Sequence, residues 1–249
     1  MYTINTRRSL IFIPITLLIV YFCAGVFYNP AHIIYIKPFI IPTFIIYAVL
    51  SNFEKLTLNY YLYVFFFYLN EILLLFWENS IPLYRTALVA SFFCYLAIIN
   101  LGYNSIKTKK LYTIPKGFSL FILVINCVFL LAILYVLMSI IDDDFLNIIL
   151  IFNAIVAVFL GVTAVLYLGK FGNKKAYYYF FGAFALIFND IFAAIGTYFI
   201  EDVVLNTFDR ILHFTSFYLI YRFIINDKKK VENLSTDSQS RSAKCSFKE

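Results

Sequence analysis

The chain has 249 residues, 63% of them hydrophobic and 14% charged, with a net charge of +6 and a mean hydropathy of +0.85. Soluble domains carry about 25% charged residues, so this composition excludes a soluble globular enzyme and points to an all-α, polytopic membrane protein. The basic residues sit in short loops and the tail, which excludes nucleic acid as the reason for the positive charge. The four cysteines, Cys23, Cys94, Cys127 and Cys245, show no metal or redox spacing, and neither a metal, a cofactor nor a protein partner is expected.

A bilayer core takes about 20 apolar residues per helix, and the chain offers eight such runs. After an N-terminal tail over 1–8, helix one is expected over Ser9–Tyr28 and ends at Asn29-Pro30. It is too long for a signal peptide and lacks a small-x-small cleavage site. Helix two is expected over Ile33–Leu50, helix three over Leu58–Trp77, and helix four over Ile81–Tyr103, with Pro82 tolerated in its first turn. A lysine-rich loop precedes helix five, Phe118–Ile140. Asp142-Asp143-Asp144 then caps helix six, which runs to about Leu168. Helix seven is expected over Ala176–Tyr198 and helix eight over Leu205–Ile225. The membrane domain thus spans 9–226, and the Lys/Ser-rich tail over 227–249 has the composition of a disordered segment.

Eight spans put both termini on one side. Of the 20 lysines and arginines, all but Lys37, Arg85 and Arg210 fall on that side, while Glu78, Asp142 to Asp144, Glu201 and Asp202 fall on the other. The positive-inside rule makes both termini cytoplasmic, with the plasma (inner) membrane as the expected location.

Two acids interrupt the apolar runs. Helix three reads FYLNEIL and helix seven LIFNDIF, so that Asn70-Glu71 and Asn189-Asp190 each precede an isoleucine, 119 residues apart. Arg85 and Arg210, and likewise Ser91 and Ser216, recur at a constant offset of 125. The pattern reads as two repeated four-helix halves in parallel. Each acid lies some 13 residues into an ascending helix, roughly 20 Å up a core about 30 Å thick. Helices two, four and eight bring Lys37, Arg85, Asp209, Arg210 and His213 to the same outer slab; helices one, five and six are expected only to pack. An acid in the bilayer costs a few kcal/mol and is a functional-site hypothesis by default, although helix–helix ion pairing would also account for one. His213 is either a proton carrier or a satisfied buried histidine.

These motifs resemble a known family. GAFALIFNDIFAA from Gly182, YLNEILLLF from Tyr68 and KPFIIP from Lys37 are similar to the helix-seven, helix-three and helix-two signatures of the YhhN-like, lysoplasmalogenase-type membrane proteins, and the likeness covers most of 9–226. Glu71 stands where that family has Asp, and Asn189 where it has Ser. The resemblance implies eight helices and hydrolysis of the vinyl ether bond of a lysoplasmalogen, a membrane lipid, with Glu71 and Asp190 as catalytic carboxyls. Lys37, Asn70, Arg85, Asn189, Arg210, His213 and Tyr218 are then the candidate substrate-binding residues. Two other readings stay open: a catalytically altered member that binds lipid, and a proton-coupled small-solute transporter. A carrier would show helices broken by Gly or Pro in mid-membrane, and only eight glycines occur.

Overall fold

The computed structural model describes residues 12–27, 37–52, 56–76, 80–107, 117–199 and 203–226. The expected tails lie outside these residues. Among the described residues there are eight helices and no strand: α1 (Phe12–Phe27), α2 (Lys37–Asn52), α3 (Leu58–Leu74), α4 (Ile81–Lys107), α5 (Gly117–Ile140), α6 (Asp144–Phe171), α7 (Lys174–Tyr198) and α8 (Val203–Ile225). Four of them, α4 to α7, are long and apolar enough to cross a membrane. Helices α1, α2 and α3 are apolar but shorter over the described residues, and α8 runs 23 residues with Asp209, Arg210, His213 and Arg222 in it.

Local chemistry sets the helix ends. Asp143 is the N-cap of α6, accepting from the amides of Phe145 and Leu146 at 3.1 Å each, which satisfies two of the N–H groups that a first helical turn leaves unbonded. Asn173 caps α7 through Ala176 N at 2.8 Å, directly after Gly172 has closed α6. Helix α4 runs on to Lys107, beyond the expected Tyr103, and its last turn is held by Lys170 Nζ, which donates to the Ile106 carbonyl. A lysine is suited to that place because the carbonyls at a helix C-terminus carry partial negative charge.

The helices pack chiefly in pairs, α3 along α4 and α7 along α8, with α6 lying against both α4 and α7. Aromatic side chains close the remaining seams. Phe44 and Tyr47 of α2 meet Phe217 and Tyr221 of α8 at ring distances of 6.3 and 5.9 Å, and Tyr21 of α1 meets Phe214 at 6.1 Å. The core centres on Tyr63, Ile98, Leu160, Tyr179, Ile187 and Ile220, all fully buried. Helix α5 is the opposite case: Phe118, Phe121, Val124, Val128, Leu131 and Tyr135 are exposed. Apolar exposure on that scale marks a membrane or partner-facing surface.

At Gly102 of α4 the Tyr179 ring of α7 lies against the backbone, and its hydroxyl donates to the Ile98 carbonyl at 3.0 Å. A Cβ at Gly102 would overlap the phenol, and Tyr167 and Phe223, at 5.1 and 4.8 Å, leave that ring nowhere to go. Gly102→Ala should therefore lower stability by about 1–3 kcal/mol, the usual cost of overpacking. Pairing it with Tyr179→Leu should recover part of that loss, and thermal unfolding of the two single variants and the double variant in detergent micelles checks the coupling.

Candidate functional site

The acids of both apolar runs, Glu71 and Asp190, line one cavity of about 280 Å³, near the lower limit for small-molecule sites. Its polar lining is Asn70 and Glu71 from α3, Tyr84, Ser91 and Tyr95 from α4, Asn153 from α6, and Asp190 and Tyr198 from α7. Leu130, Ile133, Leu134 and Leu137 of α5, with Leu150, Ala154 and Ala157 of α6, make an apolar wall. The expectation that helices five and six only pack is thus corrected: an apolar residue facing a cavity has the same chemistry as one facing lipid.

Each acid meets a side chain from the opposite half of the chain. Glu71, 4% exposed, has its Oε1 3.1 Å from His213 Nε2 of α8, and the imidazole is stacked on Phe67 at 4.5 Å. Asp190 accepts from the Tyr95 hydroxyl of α4 at 2.5 Å. Asn189 lies between two carboxylates. In one orientation its amide nitrogen is 3.3 Å from Asp190 Oδ1; with the amide turned over, the nitrogen donates to Asp209 Oδ1 at 2.8 Å and to the Asp209 carbonyl at 2.7 Å. The second orientation places a donor against two acceptors and is the chemically favoured one. Elsewhere in the cavity the Tyr198 hydroxyl donates to the Tyr84 hydroxyl at 2.9 Å, and Asn153 Nδ2 donates to the Leu88 carbonyl at 3.0 Å.

The candidate residues therefore divide. Glu71, Asp190 and Asn70 line the cavity; His213 and Asn189 stand behind the two acids. Arg85, Arg210 and Tyr218 do not join them. Arg85 Nη2 pairs with Asp143 and its guanidinium sits 5.1 Å from the Phe145 ring centre, so it ties α4 to the start of α6. Arg210 lies 5.2 Å from the Tyr21 ring centre, and Tyr218 lies 5.9 Å beneath Arg222. The Lys37 side chain lies outside the described residues. Among the described residues no three His, Cys, Asp or Glu side chains gather as a metal would require.

Four lining or supporting residues were not among the candidate site residues, although Asp209 was placed in the outer charge slab and Ser91 in the repeat. Asp209 precedes His213 by one helical turn, a spacing that puts both on one face of α8. Tyr84, Ser91 and Tyr95 share a face of α4 in the same way. Comparisons with protein-family models, with curated proteins and with solved structures return no match, so the YhhN-like likeness rests on the motifs alone.

Removing the Tyr95 hydroxyl should take from the Asp190 carboxyl its shortest hydrogen bond, at 2.5 Å. Tyr95→Phe is expected to cost about 1–3 kcal/mol of stability, as for a lost bond to a buried charged acceptor. In an Asp190→Ala background the same change should cost far less, and thermal unfolding of the four proteins measures the difference.

The Arg85 hydrogen bond, with the Leu146 amide behind it, holds the Asp143 carboxyl below its ordinary value of 3.8. A folded pKa below the unfolded one means that the stabilisation is present above about pH 4 and is lost as pH falls through the folded value. Asp143→Asn keeps the cap and removes the charge. The parent should be slightly the more stable protein at neutral pH, because the pair is open to solvent, and the gap should close in acid; melting temperatures of the two across that range check it.

Proposed function

We propose that the protein is an integral membrane lipid hydrolase of the lysoplasmalogenase type, cleaving the vinyl ether bond of a lysoplasmalogen to a fatty aldehyde and a glycerophospho-head group. The observation that carries this reading is the placing of two carboxyls, Glu71 and Asp190, in one half-apolar cavity. The motif resemblance supports the choice of substrate. The proposed topology is eight spans in two parallel four-helix halves, with both termini at the cytoplasmic face of the plasma membrane. The matched pairings of α3 with α4 and α7 with α8, and the basic side of the sequence, support it.

The chemistry asks for an acid and a base. One carboxyl, as the neutral acid, gives its proton to the alkene carbon β to the ether oxygen, and the π electrons form the new C–H bond. The oxygen lone pair closes an oxocarbenium ion, which the second carboxyl, ionised, stabilises at close range. That carboxylate takes a proton from water as the water oxygen adds to the cationic carbon, giving a hemiacetal. The hemiacetal collapses to the alcohol of the head group and the aldehyde as the second carboxyl gives its proton to the leaving oxygen and the first takes one from the hemiacetal hydroxyl, which restores both. The division of labour is that of the paired carboxyls of glycosidases. The substrate-binding role expected of Arg85 and Arg210 is not part of the proposal, since both are engaged elsewhere.

Membranes containing the parent should release free aldehyde from a lysoplasmalogen, and Glu71→Gln and Asp190→Asn should each lower the rate by about a hundredfold or more. Activity surviving in both variants would keep the reaction and discard this pair. No aldehyde from the folded parent would overturn the hydrolase reading and leave lipid binding or proton-coupled transport as the functions to test.

A further inference from the structure

Two polar groups of the cavity lining have no task in the proposed proton transfers, the carboxamides of Asn70 and Asn153. Asn70 is partly exposed, and its amide bonds to none of the described residues. Asn153 is half committed. Its Nδ2 donates to the Leu88 carbonyl at 3.0 Å, while Oδ1 has no donor among the described residues. The reverse orientation would set oxygen against oxygen, so the α4 backbone fixes which atom is left over. The phenols nearby are spent within the protein, Tyr95 donating to Asp190 and Tyr198 to Tyr84. An amide among apolar side chains is costly unless something bonds to it.

The two amides stand at one level. Phe66 of α3 stacks on Phe93 of α4 at 5.1 Å, and further along Leu75 and Tyr84 line the cavity together, so the two helices run antiparallel. One turn on from Phe66, Asn70 lies across from the turn of α4 that holds Leu88. Asn153 of α6 is bonded to that same turn. One amide thus comes from each side of α4, and Glu71 adjoins the first of them. A few placed polar groups in an otherwise apolar pocket fix the orientation of what binds there.

From this we infer that Asn70 and Asn153 form a neutral subsite for a hydroxyl of the ligand. Asn153 Oδ1 accepts from the hydroxyl, and the Asn70 amide donates to its oxygen. Asn153 Oδ1 is turned into the wall; a small rotation of the carboxamide about its Cβ–Cγ bond, a broad torsion, brings it to the hydroxyl while Nδ2 stays at Leu88. The identity of the hydroxyl rests on the proposed reaction: it is the free hydroxyl on the glycerol carbon next to the ether-bearing one. Four bonds, about 5 Å when extended, separate its oxygen from the carbon that becomes cationic, close to one helical pitch. A substrate whose hydroxyl meets Asn70 therefore keeps its reacting carbon within a turn of Glu71.

The test compares two uncleavable ligands, 1-O-dodecylglycero-3-phosphocholine and 3-dodecyloxypropyl phosphocholine, which lacks only the hydroxyl. Each is titrated into the full chain in nonionic micelles. Saturable binding is read by calorimetry and expressed against the ligand's mole fraction in the micelle, so that partitioning drops out of the comparison. The parent should favour the hydroxyl compound by about tenfold, the margin expected when a polar group is left unpaired in the absence of the hydroxyl. Asn70→Leu loses no bond to a described residue and should fold; it should bring the ratio close to one, and Asn153→Leu should do the same. Equal binding of the two ligands by the parent, or the parent's ratio kept in either folded variant, would overturn the inference. Asn70→Leu and the parent decide the matter even if Asn153→Leu does not fold. Aldehyde release from a lysoplasmalogen is read separately. Hydroxyl selectivity without aldehyde removes the hydrolase and keeps the subsite, and aldehyde without hydroxyl selectivity does the reverse.

Discussion

Glu71 lies against His213 and Asp190 accepts from Tyr95, so the acids of α3 and α7 each meet a partner from the fourth helix of the other half of the chain. A carboxyl among apolar side chains stays there only with a polar partner. The crosswise contacts link the two pairs, and Asn189 with Asp209 ties α7 to α8 at the same level. Removing either crosswise partner loosens the assembly of halves as well as a single contact.

The rest of the interior brings those four helices to one depth. Tyr179, bonded to the Ile98 carbonyl, and Asn153, bonded to that of Leu88, attach α7 and α6 to α4 through backbone acceptors. Aromatic rings fill the α2–α8 seam, where edge-to-face contacts add to area burial. The polar layer is therefore set in a frame of large, rigid side chains.

What the sequence disclosed follows from how few variables each feature depends on. Helix rise per residue is fixed, so Glu71 and Asp190 could be placed at one level from their distance along α3 and α7, and they do share a cavity. The cap of α6 was legible because a run of three aspartates between apolar segments has few other uses. Pairing was not legible. Arg85 lies within an apolar run and reads as part of an outer charge cluster, yet its partner is Asp143, 58 residues further on, and only packing brings them together. Tyr95 is one of 21 tyrosines, and in so aromatic a chain nothing marks the one that bonds to the acid. The wall from α5 and α6 was hidden for the same reason: leucines against lipid, core and cavity are identical in sequence.

Helix α5 has two faces with different neighbours. Leu130, Ile133, Leu134 and Leu137 face the cavity, and Phe121, Val124, Val128, Leu131 and Tyr135 face outward. The partition between the cavity and the surroundings on that side is then a single helix, about 10 Å thick. For a molecule dissolved in the leaflet, the nearest solvent to the carboxyls is hydrocarbon and not water. For the proposed lipid substrate the concentration that governs occupancy on that side would be the mole fraction in the bilayer, so lengthening an alkyl chain would raise it by partitioning even where no protein contact is added.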